Sequence, residues 1–144
     1  MQIVVTVRAL IIHKNKLLMC KHPQGQFYCL PGGKLEPGET IEAGMERELI
    51  EETGIKPIVG KLLFVNQFIN DHIHRVEFFF HIKNDADYAN FDPAAATHHF
   101  EIADFALADP TDPKYGLKPD FIAKKFPEIA QLGEDYAMQT IHSA

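Results

Sequence analysis

Apolar and polar residues alternate along the chain in a way that predicts a protein built mainly of strands. Apolar and β-branched residues dominate four stretches, which we interpret as strands at 3–13, 16–22, 60–69 and 73–83. Shorter extended segments are expected at 27–33 and 101–107, and residues 84–100 form a long polar connection with no clear period. Asn15 and the pair Pro37-Gly38 mark turns between these segments.

Two stretches have helical rather than strand character. The first begins near Thr40, a good N-cap, and should end at Gly54, with Pro57 just beyond it. The second covers about residues 118–133, where apolar residues recur at helical spacing around an interruption at Pro127. We therefore expect an α/β protein in which a mixed sheet is covered by helices.

The length and charge of the chain narrow its class. It has 144 residues, 46% of them hydrophobic and 24% charged, which suits one domain over residues 1–144. Its formal net charge of −6 argues against binding to a nucleic-acid polymer. No apolar run approaches the roughly 18 residues that span a membrane, and the first residues resemble a strand more than a signal peptide. Cys20 and Cys29 fit no metal or disulfide pattern, so we expect reduced thiols in a cytoplasmic protein.

The first predicted helix carries its negative charge at an unusual place. At about 100° per residue, Ile41, Met45 and Leu49 form the stripe that faces the core. Three glutamates near the end of the helix share one sector about 100° wide, and these are Glu48, Glu51 and Glu52. Glu52 has the same direction as the apolar stripe, so it should point into the protein.

Such a cluster is unfavourable without a counter-ion. A charge run on a helix is most often a solvated face, but here the carboxylates repel one another and lie at the negative end of the helix dipole. Burial of Glu52 would add a desolvation cost of the same sign. A bound divalent cation reverses the balance, and clustered oxygen ligands favour Mg²⁺ or Mn²⁺.

The spacing of these glutamates matches a known motif. Residues 33–55 resemble the Nudix box, in which a glycine, a glutamate and the run R-E-U-x-E-E-x-G-U follow at fixed intervals and U is apolar. All nine constrained positions of the box are matched, namely Gly33, Glu39, Arg47, Glu48, Leu49, Glu51, Glu52, Gly54 and Ile55. The preceding residues Leu30 to Gly33, "LPGG", are also similar to the family.

The resemblance implies a fold, an activity and a set of ligands. The fold would be an α/β/α sandwich with a mixed β-sheet, and the activity a Mg²⁺-dependent pyrophosphohydrolase that cleaves a nucleoside diphosphate linked to another group. Glu48, Glu51 and Glu52 would hold the metal, with the Gly33 carbonyl as a further candidate ligand. Either Glu51 or Glu52 would act as the base for the attacking water.

Arg47 has a separate expected role. It lies outside the sector of the three carboxylates on the helical wheel. We expect a salt bridge from Arg47 to Glu39 that ties the loop to the helix. Glu36, Glu42 and Glu46 are expected on the solvated surface.

Candidate substrate-binding residues lie outside the box. Arg8, inside an apolar strand, would either pair with a structural acid or contact phosphate, and Lys21 and His22 would contact phosphate or solvent at a strand end. Phe27 and Tyr28 could stack on a base, although core packing is expected for at least one of them. Arg75 would face the substrate cleft, and Glu101 would supply an extra metal ligand or base.

The histidine pairs support no zinc site. His72 and His74, and likewise His98 and His99, lie close in sequence, but no third soft ligand has suitable spacing. We therefore expect these histidines at the surface or at the edge of the substrate site.

The substrate is not identified by the motif. The residues expected beyond the box for ADP-ribose, dinucleoside polyphosphate or NADH hydrolases are absent, since Asn70 to Ile73 stand where the first two carry proline or tyrosine. Elimination leaves nucleoside triphosphates, including oxidised ones, as the leading class. The alternatives are a hydrolase of nucleotide sugars, a sensor of nucleotides or sugars, and another metal-dependent enzyme on the same fold. We expect residues 84–100 to line the specificity side, and both a monomer and a homodimer stay open.

Overall fold

The computed structural model describes residues 1–143 and is organised around a five-stranded mixed sheet. Its strands are β1 (Ile3–Leu10), β4 (Gly32–Lys34), β5 (Val59–Ile69), β6 (His74–Ile82) and β8 (Gln139–Ser143). They lie in the order β4-β1-β6-β5-β8. Strand β1 is parallel to β6 and β5 is parallel to β8, while the other neighbours are antiparallel.

A second, antiparallel sheet has the order β2-β3-β7. It consists of β2 (Ile12–His13), β3 (Lys16–Lys21) and β7 (Asp104–Ala108). The single strand predicted over 3–13 is therefore divided at Ile11, where the chain leaves one sheet and enters the other. Buried Leu10 and buried Ile11 belong to different hydrophobic clusters, and this alternation of faces explains why the sequence reads as one continuous strand. The predicted turn at Asn15 is confirmed, since Lys14 and Asn15 both have positive φ.

The two helices agree with the sequence prediction. Helix α1 (Ile41–Thr53) begins after Thr40, whose side-chain oxygen accepts a hydrogen bond from the Ala43 N–H at 3.1 Å. It ends at Gly54, which has φ 77° and donates its N–H to the Ile50 carbonyl at 2.8 Å. Helix α2 (Asp120–Leu132) lies within the predicted region and contains Pro127.

The helices cover opposite faces of the sheets. Met45 and Leu49 of α1 belong to one hydrophobic cluster, together with Val7, Ala9 and Phe80. Ile122, Phe126 and Ile129 of α2 belong to a second cluster, which includes Leu63, Phe64 and Phe79. Alternate residues of the strands thus serve two cores. The predicted α/β/α sandwich is confirmed.

Two parts of the chain could not be anticipated in detail. Strand β8 was not predicted, because its five residues are too short and too polar to form a clear pattern. The connection after β6 contains three short 3-10 turns, at Asp85–Tyr88, Pro93–Ala95 and His99–Glu101. Within residues 1–143, no helix is long and apolar enough to cross a membrane.

Adjacent residues of α1 provide a matched test of this packing. Leu49 is fully buried and Ile50 is exposed. We expect Leu49→Ala to lower the free energy of unfolding by about 2–5 kcal/mol, because it leaves a cavity under the helix. Ile50→Ala should change it by less than about 1 kcal/mol. Urea unfolding followed by circular dichroism measures both, and equal losses would contradict the assigned faces.

Candidate active site

A buried carboxylate lies at the centre of the site. Glu52 is only 2% exposed, and its two carboxylate oxygens accept the Gly32 N–H at 2.9 and 3.3 Å. Burial, with a further contribution from the neighbouring Glu48 carboxylate, raises the pKa of Glu52 to about 8 in spite of the lowering effect of the Gly32 hydrogen bond. The prediction that Glu52 points inward is confirmed, and its negative charge is poorly compensated.

The loop before α1 approaches its neighbours so closely that glycine is required. Gly32 has φ 141°, and a Cβ at this position would lie 2.0 Å from the Val7 carbonyl oxygen. A Cβ at Gly33 would lie 2.6 Å from Glu48 Oε2. The antiparallel pairing of β4 with β1 holds both glycines in place, with Gly32 opposite Arg8 and Gly33 opposite Val7. The loop backbone is therefore packed directly against the carboxylates.

Arg47 connects the loop to the acidic end of α1. Its Nε and Nη2 donate to Glu39 Oε2 and Oε1 at 2.7 and 3.0 Å, and Nη2 also donates to the Lys34 carbonyl at 3.0 Å. The predicted salt bridge with Glu39 is confirmed. This pairing lowers the pKa of Glu39 to about 2.

The helical wheel underestimated the reach of Arg47. Its Nη1 donates to Glu48 Oε1 at 3.0 Å and to Glu51 Oε2 at 3.2 Å, so the guanidinium does join the carboxylate cluster. A wheel describes the direction of Cβ, whereas the long arginine side chain folds along the helix surface. Burial nevertheless raises the pKa of Glu48 despite this contact.

The donor set suits a hard divalent cation. The candidate ligands at the end of α1 and in the loop are carboxylate and carbonyl oxygens, which hard divalent cations prefer. The carboxylates together carry more negative charge than the single guanidinium of Arg47 neutralises. As the side chains stand, no three acidic, histidine or cysteine residues between positions 1 and 143 converge closely enough to hold an ion. The reason is visible in the contacts, since the Arg47 guanidinium lies between Glu48 and Glu51 while Glu52 turns to Gly32. The chemistry of the residues nevertheless fits such a cation.

A histidine that the sequence analysis placed at the periphery borders this cluster. His98 Nδ1 lies 3.3 Å from Glu51 Oε2 and 3.5 Å from Glu101 Oε1, and the His98 N–H donates to the Glu51 carbonyl at 2.8 Å. Glu101 is thus near the site but is separated from Glu51 by the imidazole. No sequence pattern indicated this role for His98, because the connection that carries it has no period.

A cavity of about 660 Å³ adjoins the site on the α2 side of the sheet. Its floor includes Arg8, whose Nη1 donates to the carbonyls of Leu30 and Gly32 at 3.2 Å each. Arg8 Nε also lies 3.7 Å from buried Glu77, so the arginine has both a structural acid partner and a position in the cavity. The aromatic residues that line the cavity are Phe27, Phe68, Phe79 and Phe121.

The other predicted substrate contacts divide into two groups. His22 and Arg75 line the cavity, and the Arg75 Nε is buried without a hydrogen-bond partner among the described residues. Lys21 and Tyr28 do not line this cavity, and their substrate contacts stay a prediction. The Tyr28 hydroxyl donates to Asp104 Oδ2 and its ring packs edge-on against Tyr115, while the Lys21 ammonium lies over the Tyr28 ring.

Residues 84–100 do not line this cavity, and their place on the specificity side stays a prediction. Tyr88 is buried in the core on the α1 side and donates its hydroxyl to the Ile55 carbonyl at 3.1 Å, and Phe91 packs against Tyr88 and Phe105. The outer wall of the cavity is formed instead by residues 118–121, 124 and 141–143. The charged and aromatic residues of the connection 84–100 do not indicate which face of the sheet this connection covers.

The fold and the site together define an α/β/α domain with an acidic centre at a helix C-terminus. A family model described as "NUDIX domain" matches residues 3–127. The chain therefore belongs to the NUDIX domain family.

Two curated relatives are similar to part of the chain. An ADP-ribose pyrophosphatase of Methanocaldococcus jannaschii is 44% identical over 64 residues, which are 42% of this chain and 38% of that protein. A CTP pyrophosphohydrolase of Escherichia coli (strain K12) is 34% identical over 71 residues, which are 46% of this chain and 53% of that protein. The matched stretch thus spans about half or less of either relative.

One solved structure shows the same fold over most of the chain. The solution structure of the E. coli ORF135 protein superposes with a TM-score of 0.66 and 24% sequence identity. The match covers 90% of this chain and 91% of that one.

The raised pKa of Glu52 predicts a pH dependence of stability. Its pKa is about 8 in the folded protein and near 4.5 when unfolded, so between these values the folded state binds more protons. Stability contributed by the protonated group is then lost as pH rises through the folded pKa. With chelator present, the free energy of unfolding of Glu52→Gln minus that of the wild type should increase by at least about 1 kcal/mol from pH 5 to pH 8. Chemical unfolding at both pH values measures this, and a constant difference would contradict it.

Proposed function

We propose that the protein is a Mg²⁺-dependent pyrophosphohydrolase that cleaves a nucleoside diphosphate linked to another group. A nucleoside triphosphate, in ordinary or oxidised form, is the leading substrate class. The observation that carries the proposal is the position of the acidic cluster, which lies next to a cavity that contains cationic and aromatic side chains. The Gly32 N–H donates to Glu52 and the carbonyl of the same residue accepts from Arg8, so Gly32 connects the cluster to the cavity.

The cavity suits the nucleoside end of such a substrate. Its volume of about 660 Å³ lies within the range usual for small-molecule sites. Phe27 is 48% exposed at the rim and offers a face on which a base can stack. The chain as a whole is acidic, but phosphate groups require positive charge nearby. In the cavity this charge comes from Arg8, His22 and Arg75.

The acidic cluster suits the reacting end. Glu48, Glu51, Glu52 and the Gly33 carbonyl would hold Mg²⁺ or Mn²⁺, which polarises phosphoryl oxygens and offsets charge on the leaving phosphate. Water attacks phosphorus, the bond to the leaving phosphate oxygen breaks, and a carboxylate accepts the proton from the water. Glu51 and Glu52 are the candidates for this base. Arg47 holds the loop against α1, and His98 and Glu101 border Glu51 on its exposed side.

The names of the relatives support two substrate classes. The similarity to a CTP pyrophosphohydrolase favours a nucleoside triphosphate, and the similarity to an ADP-ribose pyrophosphatase favours a nucleoside diphosphate sugar. The residues beyond the box distinguish them, because Asn70 and Asp71 stand where ADP-ribose hydrolases tend to have a proline. We therefore place triphosphates first.

A substrate screen with matched variants tests this function. Nucleoside triphosphates, nucleotide sugars and dinucleotides are incubated with Mg²⁺, and the phosphorus products are identified by ³¹P NMR. We expect pyrophosphate and a nucleoside monophosphate from a triphosphate. Glu51→Gln and Glu52→Gln should each lower kcat/KM by at least about 100-fold, because each removes a metal ligand or the base.

The control lies on the same helix. Glu42 is exposed near the start of α1, so Glu42→Gln should retain wild-type activity. Turnover of none of the substrates, or full activity in both carboxylate variants, would refute the proposed function.

Arg75 gives a separate test of the cavity. Its buried Nε lacks a partner among residues 1–143, so we expect it to donate to bound substrate. Arg75→Ala should raise KM about tenfold and change kcat little, as expected for loss of a charged hydrogen bond that is equally strong in the ground state and the transition state. Lys56→Ala is the control, because Lys56 is an exposed lysine outside the cavity. An unchanged KM in Arg75→Ala would show that the substrate lies elsewhere.

A further inference from the structure

Two cysteines that the proposed hydrolysis does not use face each other across a backbone bridge. The Cys20 N–H donates to the Cys29 carbonyl, and the Cys29 N–H donates to the Cys20 carbonyl, both at 2.8 Å. Their sulfur atoms are 3.8 Å apart and both thiols are free. Hydrogen-bonded antiparallel pairs have Cα atoms about 5.5 Å apart, which is within the usual range for a disulfide. Closure of the bond therefore requires side-chain rotation and little backbone movement.

The two thiols differ in access. Cys20 is completely buried in β3, whereas Cys29 lines the 660 Å³ cavity described above. A small solute that enters the cavity therefore meets Cys29 at its wall, whereas Cys20 does not line the cavity. The pair thus consists of an accessible thiol and an internal one.

The surroundings of Cys29 favour its thiolate. The hydrogen bond from Cys20, the contact with His22 and the charge of Arg8 outweigh burial and lower the pKa of Cys29 to about 4. The same pairing, together with burial, raises the pKa of Cys20. The two shifts run in opposite directions across the 3.8 Å separation of the sulfur atoms, and Cys29 is the one whose thiolate is favoured. Reactive cysteines occur in electropositive, partly accessible surroundings of this kind.

We propose that Cys20 and Cys29 form a peroxide-sensitive dithiol that closes to an intramolecular disulfide at the wall of the cavity. The Cys29 thiolate attacks one oxygen of hydrogen peroxide, the O–O bond breaks, and the departing hydroxide takes a proton from solvent to become water. This leaves a sulfenic acid on Cys29. The Cys20 sulfur then attacks the Cys29 sulfur, the S–O bond breaks, and hydroxide leaves with the Cys20 proton as a second water. In total, the pair of thiols loses two electrons and one hydrogen peroxide molecule gains them. A dithiol reductant reduces the disulfide back to the two thiols.

The disulfide would close a small loop that contributes side chains to the lining of the cavity. Residues 21–28 lie between the two cysteines, and His22 and Phe27 from this loop line the cavity. Oxidation would replace an anionic sulfur at the wall with a neutral bond and tie the start of the loop to its end.

The test uses the full-length reduced protein with a chelator and one equivalent of hydrogen peroxide. After quenching with N-ethylmaleimide, intact-mass spectrometry should show loss of two hydrogens and no maleimide adduct. Peptide mapping should give a Cys20–Cys29 link within one chain. Sulfinic acid or linked dimers as the main product, or two free thiols after an excess of peroxide, would overturn the proposal.

Single substitutions separate the two roles. Cys20→Ser should stop at a sulfenic acid on Cys29 that dimedone traps, and Cys20→Ala serves the same purpose if a hydroxyl is not tolerated in the buried site. Cys29→Ser should lose its remaining thiol at least about tenfold more slowly than the Cys20 variant, because Cys20 is shielded. In guanidinium the two variants should react at equal rates. Equal rates in the folded proteins would contradict the assigned order of attack. None of these measurements uses hydrolase activity, so their outcome is independent of the proposed function.

Discussion

The close approach of the Gly32 backbone to β1 and to the end of α1 is the constraint on which the candidate site depends. The peptide N–H at this position is one of the few groups that reach the buried Glu52 carboxylate, and the carbonyl on its other side meets Arg8. A side chain at Gly32 would collide with the Val7 carbonyl, so β4 could not pair with β1 in this register. Moving that strand would remove the support of Glu52 and separate the cavity from the acidic cluster. One residue without a side chain thus holds together a helix end, a sheet edge and a pocket.

Charge at the end of α1 is tolerated because Arg47 spreads one cation over several acids. The guanidinium contacts Glu39, Glu48 and Glu51 and also reaches the Lys34 carbonyl. A lysine could not make these contacts at once, because its ammonium is a single point rather than a planar fork. One nitrogen of Arg47 contacts both Glu48 and Glu51. Arg47 is therefore the counter-ion that the structure shows for these two carboxylates.

Local chemistry explains which parts of the structure could be predicted from sequence. The limits of α1 follow from the Thr40 cap and Gly54, and the inward direction of Glu52 follows from helical periodicity. The division between β1 and β2 could not be predicted, since Leu10 and Ile11 are both apolar and only the tertiary structure assigns them to different cores. The positions of His98, Tyr88 and β8 were likewise not predictable, because long-range packing rather than a local pattern decides them. Among the candidate site residues, those of the contiguous motif lie together at the end of α1, whereas Lys21 and Tyr28 lie outside the cavity that contains Arg8, His22 and Arg75.

The two halves of the site come from separate parts of the chain. The acidic centre is built from one continuous stretch between Gly32 and Glu52, whereas the cavity wall is assembled from β6, the start of α2 and the last strand. Substitutions in the wall can therefore alter its shape and polarity while the helix that carries the carboxylates keeps its packing. The architecture thus separates the residues proposed to hold the metal from most of those proposed to contact the rest of the substrate. Selectivity in such a domain can change through mutations far from the motif, and the motif alone is then a poor guide to what the domain accepts.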